Sequence, residues 1–249
     1  MSLRLAEARR DGTTIDVSAS GAAPANVREA YDIQHEILSH LGEGIGAWKV
    51  GAKSEIDALA GRIQGAPIPR GSVHASPATL DRRQFPVLGL ELEIAFRMAR
   101  SFAPATHAYT ADEILTGIGS CAATIEIVAS RLASWPGADR TLQLADLQNN
   151  GALIAGEFVP YRADLAFRTP RMRFEYEGKS AASSHSGNPA GDPRLLLVWL
   201  VNHAASRGIA VTPEMILTTG TYSGIHFPKT SGTASGEIAG LPPVHLQLG

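Results

Sequence analysis

Cysteine is nearly absent from this chain: Cys121 is the only one among 249 residues, so neither an intramolecular disulfide nor a Cys/His metal framework can form. Lysine is scarce as well. Only Lys49, Lys53, Lys179 and Lys229 stand among the 22 cationic residues, and lysine, unlike arginine, can release its proton when desolvated. A charge excess is missing, since 22 Lys+Arg against 24 Asp+Glu leave a net charge of −2, which gives no electrostatic footprint for nucleic acid. Long apolar runs are missing too. The longest aliphatic and aromatic run covers 195–201, far short of the roughly 20 residues a bilayer helix needs. Arg4, Glu7, Arg9, Arg10 and Asp11 occupy the N-terminus with no apolar stretch behind them, unlike a secretory signal. The expectation is a soluble cytoplasmic protein with neither nucleic acid nor membrane as partner.

What is present is a globular composition, 44% hydrophobic and 18% charged, with 25 Gly and 15 Pro to make turns. Residues 1 to about 45 read as helical. From Asn26, a plausible cap, Val27, Ala30, Tyr31, Ile37, Leu38 and Leu41 recur on one helical face until Gly42 and Gly44 stop it. Beyond that point short apolar runs alternate with Gly, Pro, Ser and Asn clusters. They predict strands over 46–50, 89–97, 124–128, 151–156, 170–176, 215–220 and 244–248. Two helices interrupt them: 193–207, opened by Asp192 and Pro193 and closed by Gly208, and 111–119 behind Thr110. Strands outnumber helices without alternating strictly with them, which argues against an open βαβ sheet. The predicted class is α+β, a mixed β-rich roll or sandwich. Residues 1–75 form a helical N-terminal region with a lysine-bearing strand, and 76–249 form a β-rich catalytic core.

Three carboxylates occupy apolar text. In Gly89-Leu90-Glu91-Leu92-Glu93-Ile94-Ala95-Phe96 the strand period of two puts Glu91 and Glu93 on one face, roughly 7 Å apart along the backbone. Such a pair repels unless something neutralises it. A hard divalent cation does so, although the wet face of an ordinary half-exposed strand shows the same alternation. Glu126 lies within Thr124-Ile125-Glu126-Ile127-Val128, where its neighbours predict burial and burial demands a partner.

The segment around Glu91 and Glu93 resembles the metal-binding E-x-E-I-A strand of the fumarylacetoacetate hydrolase superfamily. More narrowly it resembles the 2-keto-4-pentenoate hydratase and 4-oxalocrotonate decarboxylase branch. Further segments fall in the same order: Trp48-Lys49-Val50-Gly51, Ala123 to Arg131 followed by Trp135, Leu144-Ala145-Asp146 with Gly151 behind it, Gly187-Asn188-Pro189, and Ile216 to Thr221. The likeness covers about residues 46–249. It implies a fold like the superfamily's C-terminal domain and a homo-oligomer. It also implies a metal site of Glu91, Glu93 and Glu126 holding Mg²⁺ or Mn²⁺, which chelates a small 2-oxo acid substrate.

On that resemblance the expected activity is a metal-dependent, hydratase-like lyase acting on a short 2-oxo or 2-hydroxydienoate acid in aromatic-compound catabolism. A C–C hydrolase of acylpyruvate type, a decarboxylase and a non-catalytic paralogue stay open. Lys49 is the candidate for moving the C3 proton, because desolvation in a Gly-rich apolar strand is expected to lower its pKa. Asp146 is a second candidate, either for proton transfer or for supporting the groups that touch the substrate, with Asn149 and Asn150 beside it as amide donors, although Leu147 departs from the branch's Asn. Thr221 and Ser223 are candidates for the substrate carboxylate. Branch hydratases carry an Asp where this chain has Ser76. His74, two residues earlier, is the candidate to act in its place.

Overall fold

A computed structural model describes residues 1–17, 23–183 and 187–249. Two helices open the chain. α1 (Ser2–Asp11) ends on Gly12 in the left-handed region, and α2 (Val27–Leu41) begins at Asn26, whose side chain accepts the Glu29 N–H, and ends on Gly42. Their apolar faces meet: Leu5 and Ala6 pack with Ala30, Tyr31, Ile37 and Leu38 in a satellite core that also takes in Leu142 and Leu144.

The strands follow. β1 (Ile45–Gly51) leads through the short helix α3 (Glu55–Leu59) to β2 (Gln64–Pro69), β3 (Val73–Ala75) and β4 (Ala78–Leu80). β5 (Gly89–Met98) and β6 (Ile118–Val128) are the longest, separated by α4 (Ala111–Leu115). After α5 (Arg140–Ala145) come β7 (Asn150–Ala155), β8 (Val159–Pro160), β9 (Met172–Tyr176) and β10 (Lys179–Ser180). α6 (Arg194–Ser206) then precedes β11 (Ile216–Thr221), β12 (Gly232–Ile238) and β13 (Val244–Leu248). None of the described helices is long and apolar enough to cross a membrane.

Two mixed sheets result, an α+β arrangement. The larger has eight strands in the order β2-β1-β11-β5-β6-β7-β3, with β8 attached to β6. The smaller has five, ordered β10-β9-β12-β13-β4. Leu92, Ile125, Ile127 and Ile154 of the larger sheet and Ala234, Val244 and Leu246 of the smaller belong to one apolar core. The sheets approach so closely that a Cβ on Gly236 would stand 2.4 Å from Leu92 Cδ1, which explains a glycine there. β1, β2 and β3, from the first 75 residues, are hydrogen-bonded into the same sheet as β5, β6 and β7.

The structure shortens one predicted helix. α4 starts where expected, with a capping box between Thr110 and Glu113, but stops at Leu115 rather than 119. The reason lies in β6, which begins at Ile118, and pairing with β5 along its length claims residues that local pattern assigned to the helix or to no element. β2, β3, β4 and β12 were not predicted. They are short or rich in Gly and Pro, and they exist because neighbouring strands pair with them.

Candidate metal centre

The register of the central strands assembles the site. Glu91 on β5 lies opposite Glu126 on β6, and Glu93 lies opposite Thr124 on β6 and Thr221 on β11. One oxygen from each of Glu91, Glu93 and Glu126 falls within 4.8 Å of the others. Lys49 comes from β1, on the far side of β11 from β5, in register with Thr218. Its Nζ lies 2.6 Å from Glu126 Oε1 and donates to the Gln148 carbonyl at 3.1 Å. The Asn150 amide donates to the same Glu126 Oε1 at 2.9 Å. Glu93 Oε2 accepts from the Thr218 hydroxyl and from the Gly220 N–H. Glu126 is fully buried, and its second oxygen, Oε2, has no partner among the described residues.

Three acids share this pocket with one lysine, and their protonation shows the imbalance. Burial and the charge of Glu126 push Glu91 up to about 7, against the pull of Lys49. Burial, then Glu126 and Glu91, raise Glu93 well above the ordinary carboxylate range. Burial works against the Lys49 ammonium, but Glu126, Glu91 and Glu93 together outweigh it and its pKa is raised. The expected lowering is thus corrected: the acids that make Lys49 interesting also hold it charged. A buried all-oxygen donor set with an excess of negative charge and a bare carboxylate oxygen fits a hard divalent cation such as Mg²⁺ or Mn²⁺.

A cavity of about 970 Å³ opens onto Glu91, Glu93 and Lys49. Thr221, Gly220 and Asn188 also line it, and exposed Lys53, Arg62 and Arg140 bring positive charge to its walls. Gln148 and Asn149 form another part of the wall, in an unusual conformation. Leu147, Gln148 and Asn149 are three consecutive non-glycine residues with φ of 50°, 51° and 57°, each costing about 1–2 kcal/mol relative to the right-handed form.

That turn is anchored at both ends. Before it, Asp146 Oδ1 accepts from Arg131 Nε at 2.6 Å and Oδ2 accepts from the Arg131 N–H at 2.8 Å. After it, the Asn150 carbonyl accepts from Arg131 Nη1 at 2.6 Å and from Arg9 Nη1 at 2.7 Å. Burial, with Arg131 close by, pushes the Arg9 guanidinium down to about 9, so it stays charged at neutral pH.

The remaining predicted residues fall in different places. Asp146 is 1% exposed, ion-paired to Arg131 and not among the cavity-lining residues; it anchors the turn. His74 sits on β3 opposite Ile154, is absent from the cavity wall, and burial lowers its pKa. Ser76 is occupied by the backbone of His245. Thr221 reaches the cavity, whereas Ser223 is fully buried, accepting from the Leu92 N–H and donating to the Gly224 carbonyl. Arg9, the Gln148 carbonyl and the cavity cations Lys53, Arg62 and Arg140 had no assigned role in the sequence. Only Lys53 and Arg62 had a signal available, as charges that follow the Lys49 strand in sequence.

No protein-family model matches the chain, and no curated protein matches it. Solved structures do. A 4-oxalocrotonate decarboxylase from Pseudomonas putida G7, complexed with magnesium and adipate, superposes with a TM-score of 0.83 at 18% identity, covering 99% of this chain and 97% of that one. A fumarylpyruvate hydrolase from Pseudomonas aeruginosa, in complex with Mn²⁺ and pyruvate, gives 0.56 at 14% identity over 81% of this chain and 88% of that one. A 2-hydroxyhepta-2,4-diene-1,7-dioate isomerase from Mycobacterium marinum gives 0.56 at 16% over 83% and 76%. The chain therefore has the fold of the fumarylacetoacetate hydrolase superfamily.

Proposed function

We propose that this protein is a divalent-metal-dependent lyase of the fumarylacetoacetate hydrolase superfamily that decarboxylates a short unsaturated 2-oxo diacid of the 4-oxalocrotonate kind. One observation carries the reading. Glu91 and Glu93 line the cavity and converge with the buried Glu126, whose Oε2 is bare, in a chain that aligns nearly end to end with a 4-oxalocrotonate decarboxylase.

Glu91, Glu93 and Glu126 would hold the ion, which when bound supplies positive charge to the carboxylate and 2-oxo oxygens of the substrate. The rest is work for the protein. Thr221, on the cavity wall, would orient the substrate carboxylate. Lys53 and Arg140 draw a dianion toward the cavity, Arg62 being paired with Asp57 on the same wall. In the reaction the bond to the distal carboxylate breaks and CO₂ leaves. The electron pair runs along the conjugated chain to the C2 oxygen, which takes up a proton. Lys49, at the cavity wall beside the acids, is placed to supply it. This route needs no base to activate water.

Hydration of a 2-hydroxydienoate is the second reading, favoured by Lys49 as a proton carrier within the acid cluster. It ranks lower because Ser76 is tied to a backbone, and neither His74 nor Asp146 lines the cavity.

The test is a paired assay on protein stripped with chelator and then reloaded with Mg²⁺ or Mn²⁺. CO₂ release from 4-oxalocrotonate, with dienol absorbance appearing only when metal is present, is the expected result. Consumption of 2-hydroxypenta-2,4-dienoate alone would reverse the ranking, and turnover of neither would overturn the lyase reading.

A further inference from the structure

The N-terminal helices seem remote from the acid cluster in sequence, yet one side chain of α1 reaches its supports. Arg9 donates Nη1 to the Asn150 carbonyl at 2.7 Å and Nη2 to the Gly151 carbonyl at 2.7 Å and to Ser72 Oγ at 2.8 Å. Its Nη2 also lies 3.4 Å from Asn150 Oδ1. Asn150 in turn donates its Nδ2 to Glu126 Oε1. The guanidinium thus grips both the carbonyl and the side-chain amide oxygen of one residue, and the amide nitrogen of that residue sets one carboxylate.

Orientation is what such a grip provides. An asparagine amide can present either its oxygen or its nitrogen to a neighbour. With Arg9 facing Oδ1, only Nδ2 is left to face Glu126. Glu126 Oε1 is then committed to Lys49 and Asn150, and Oε2 is kept bare. The three left-handed residues before Asn150 make the grip more consequential. A turn held in an unfavourable conformation relaxes unless its ends are fixed, and Arg9 fixes the downstream end together with Arg131. When that end drifts, the Gln148 carbonyl moves away from Lys49 as well.

We propose that Arg9 is a positioning residue of the metal centre, acting through Asn150 to hold Glu126 with Oε2 free for a divalent ion. The proposal rests on the reading of Glu91, Glu93 and Glu126 as metal ligands. It makes α1 part of the site, so the helical N-terminus has a chemical purpose beyond packing.

The experiment is titration of the purified full-length protein with Mn²⁺, followed by the paramagnetic resonance of free Mn²⁺, with thermal unfolding recorded for each variant. Arg9→Met keeps much of the stem and removes the donors. The expected result is Mn²⁺ affinity weakened about tenfold or more, in the range for residues that support metal ligands, at temperatures where the variant is folded. Arg9→Lys, which retains the charge but gathers its donors on a single nitrogen, should fall between it and wild type. Arg9→Ala should regain affinity when millimolar guanidinium is added, a response that a packing defect does not give. Arg10→Met, which removes a neighbouring α1 guanidinium bonded among the described residues to the His40 carbonyl, should match wild type. A lowered melting temperature with unchanged Mn²⁺ affinity in Arg9→Met and Arg9→Lys overturns the proposal while leaving the metal reading intact. Absence of Mn²⁺ binding by the wild-type protein overturns both. Should Arg9→Met not fold, Arg9→Lys and guanidinium rescue of Arg9→Ala carry the same decision.

Discussion

Glu126 and Asp146 are both buried acids, each facing one cation 2.6 Å away, and each lies close to the left-handed turn. Their surroundings differ in completeness. Both oxygens of Asp146 are bonded, to the Arg131 guanidinium and backbone and to the Ser130 hydroxyl. Glu126 has one oxygen satisfied twice and the other not at all, with two further carboxylates beside it. A finished ion pair holds structure, whereas an unfinished one has an open place for a ligand. Burial alone does not distinguish them, since burial pushes carboxylates upward at Glu91 and Glu93 and at Asp146 too.

The largest expected effect separates the two acids directly. Glu126→Gln should lose metal affinity and turnover by more than the roughly 10–100-fold that removal of a supporting residue costs. Its melting temperature in chelator should change little, because Lys49 loses its 2.6 Å partner but keeps Glu91 and Glu93 beside it, and their crowding is relieved; calorimetric titration with Mn²⁺ and a thermal scan check both halves. Asp146→Asn should do the reverse. Leaving Arg131 uncompensated should lower unfolding free energy by about 3–5 kcal/mol in urea, with a smaller change in Mn²⁺ affinity on the folded protein than Glu126→Gln shows. Equal metal losses in the two variants would erase the contrast.

The smallest effect lies outside both regions and keeps their pH responses apart. His203 stacks on Trp199 with ring centroids 4.5 Å apart and meets Tyr31 at 4.4 Å. Burial, then Arg207 and His35, lower its pKa to about 4. The native protein therefore binds fewer protons here than the unfolded chain, in which histidine titrates near 6.5. This contribution is complete above about pH 6.5 and is lost as the pH falls toward 4. Glu91, raised to about 7, works in the opposite sense, so the measurement is a difference: between pH 7 and pH 5 the wild-type melting temperature should fall relative to that of His203→Phe, with Mn²⁺ affinity at pH 7.5 unaltered.

The acid cluster was legible in the sequence because strand geometry has a fixed period. Alternation alone puts Glu91 and Glu93 on one face, and Ile125 and Ile127 mark Glu126 as buried. Helix α2 was legible for the same reason, with Asn26 as its cap. Local pattern failed where long-range pairing decides. It let α4 run on to 119, and it missed β12, whose Gly232 and Gly236 look like loop. For Asp146 the sequence left proton transfer and a supporting role both open, because nothing local shows that Arg131 folds back to occupy both its oxygens. Arg9 is the extreme case. On α1 it reads as one more solvated charge, and its partners Asn150 and Gly151 lie more than half the chain away.

Strand order has a consequence for synthesis. β11 sits between β1 and β5, although it follows both by more than 100 residues in the chain. Until residues 216–221 emerge, β1 and β5 each lack a neighbour, and the strand bearing Glu91 and Glu93 shows a bare edge. Nascent chains of this length with open edges are prone to pair with one another. The repulsion among crowded, unneutralised glutamates opposes such stacking, so the same charges that await an ion in the finished protein also guard the half-made one.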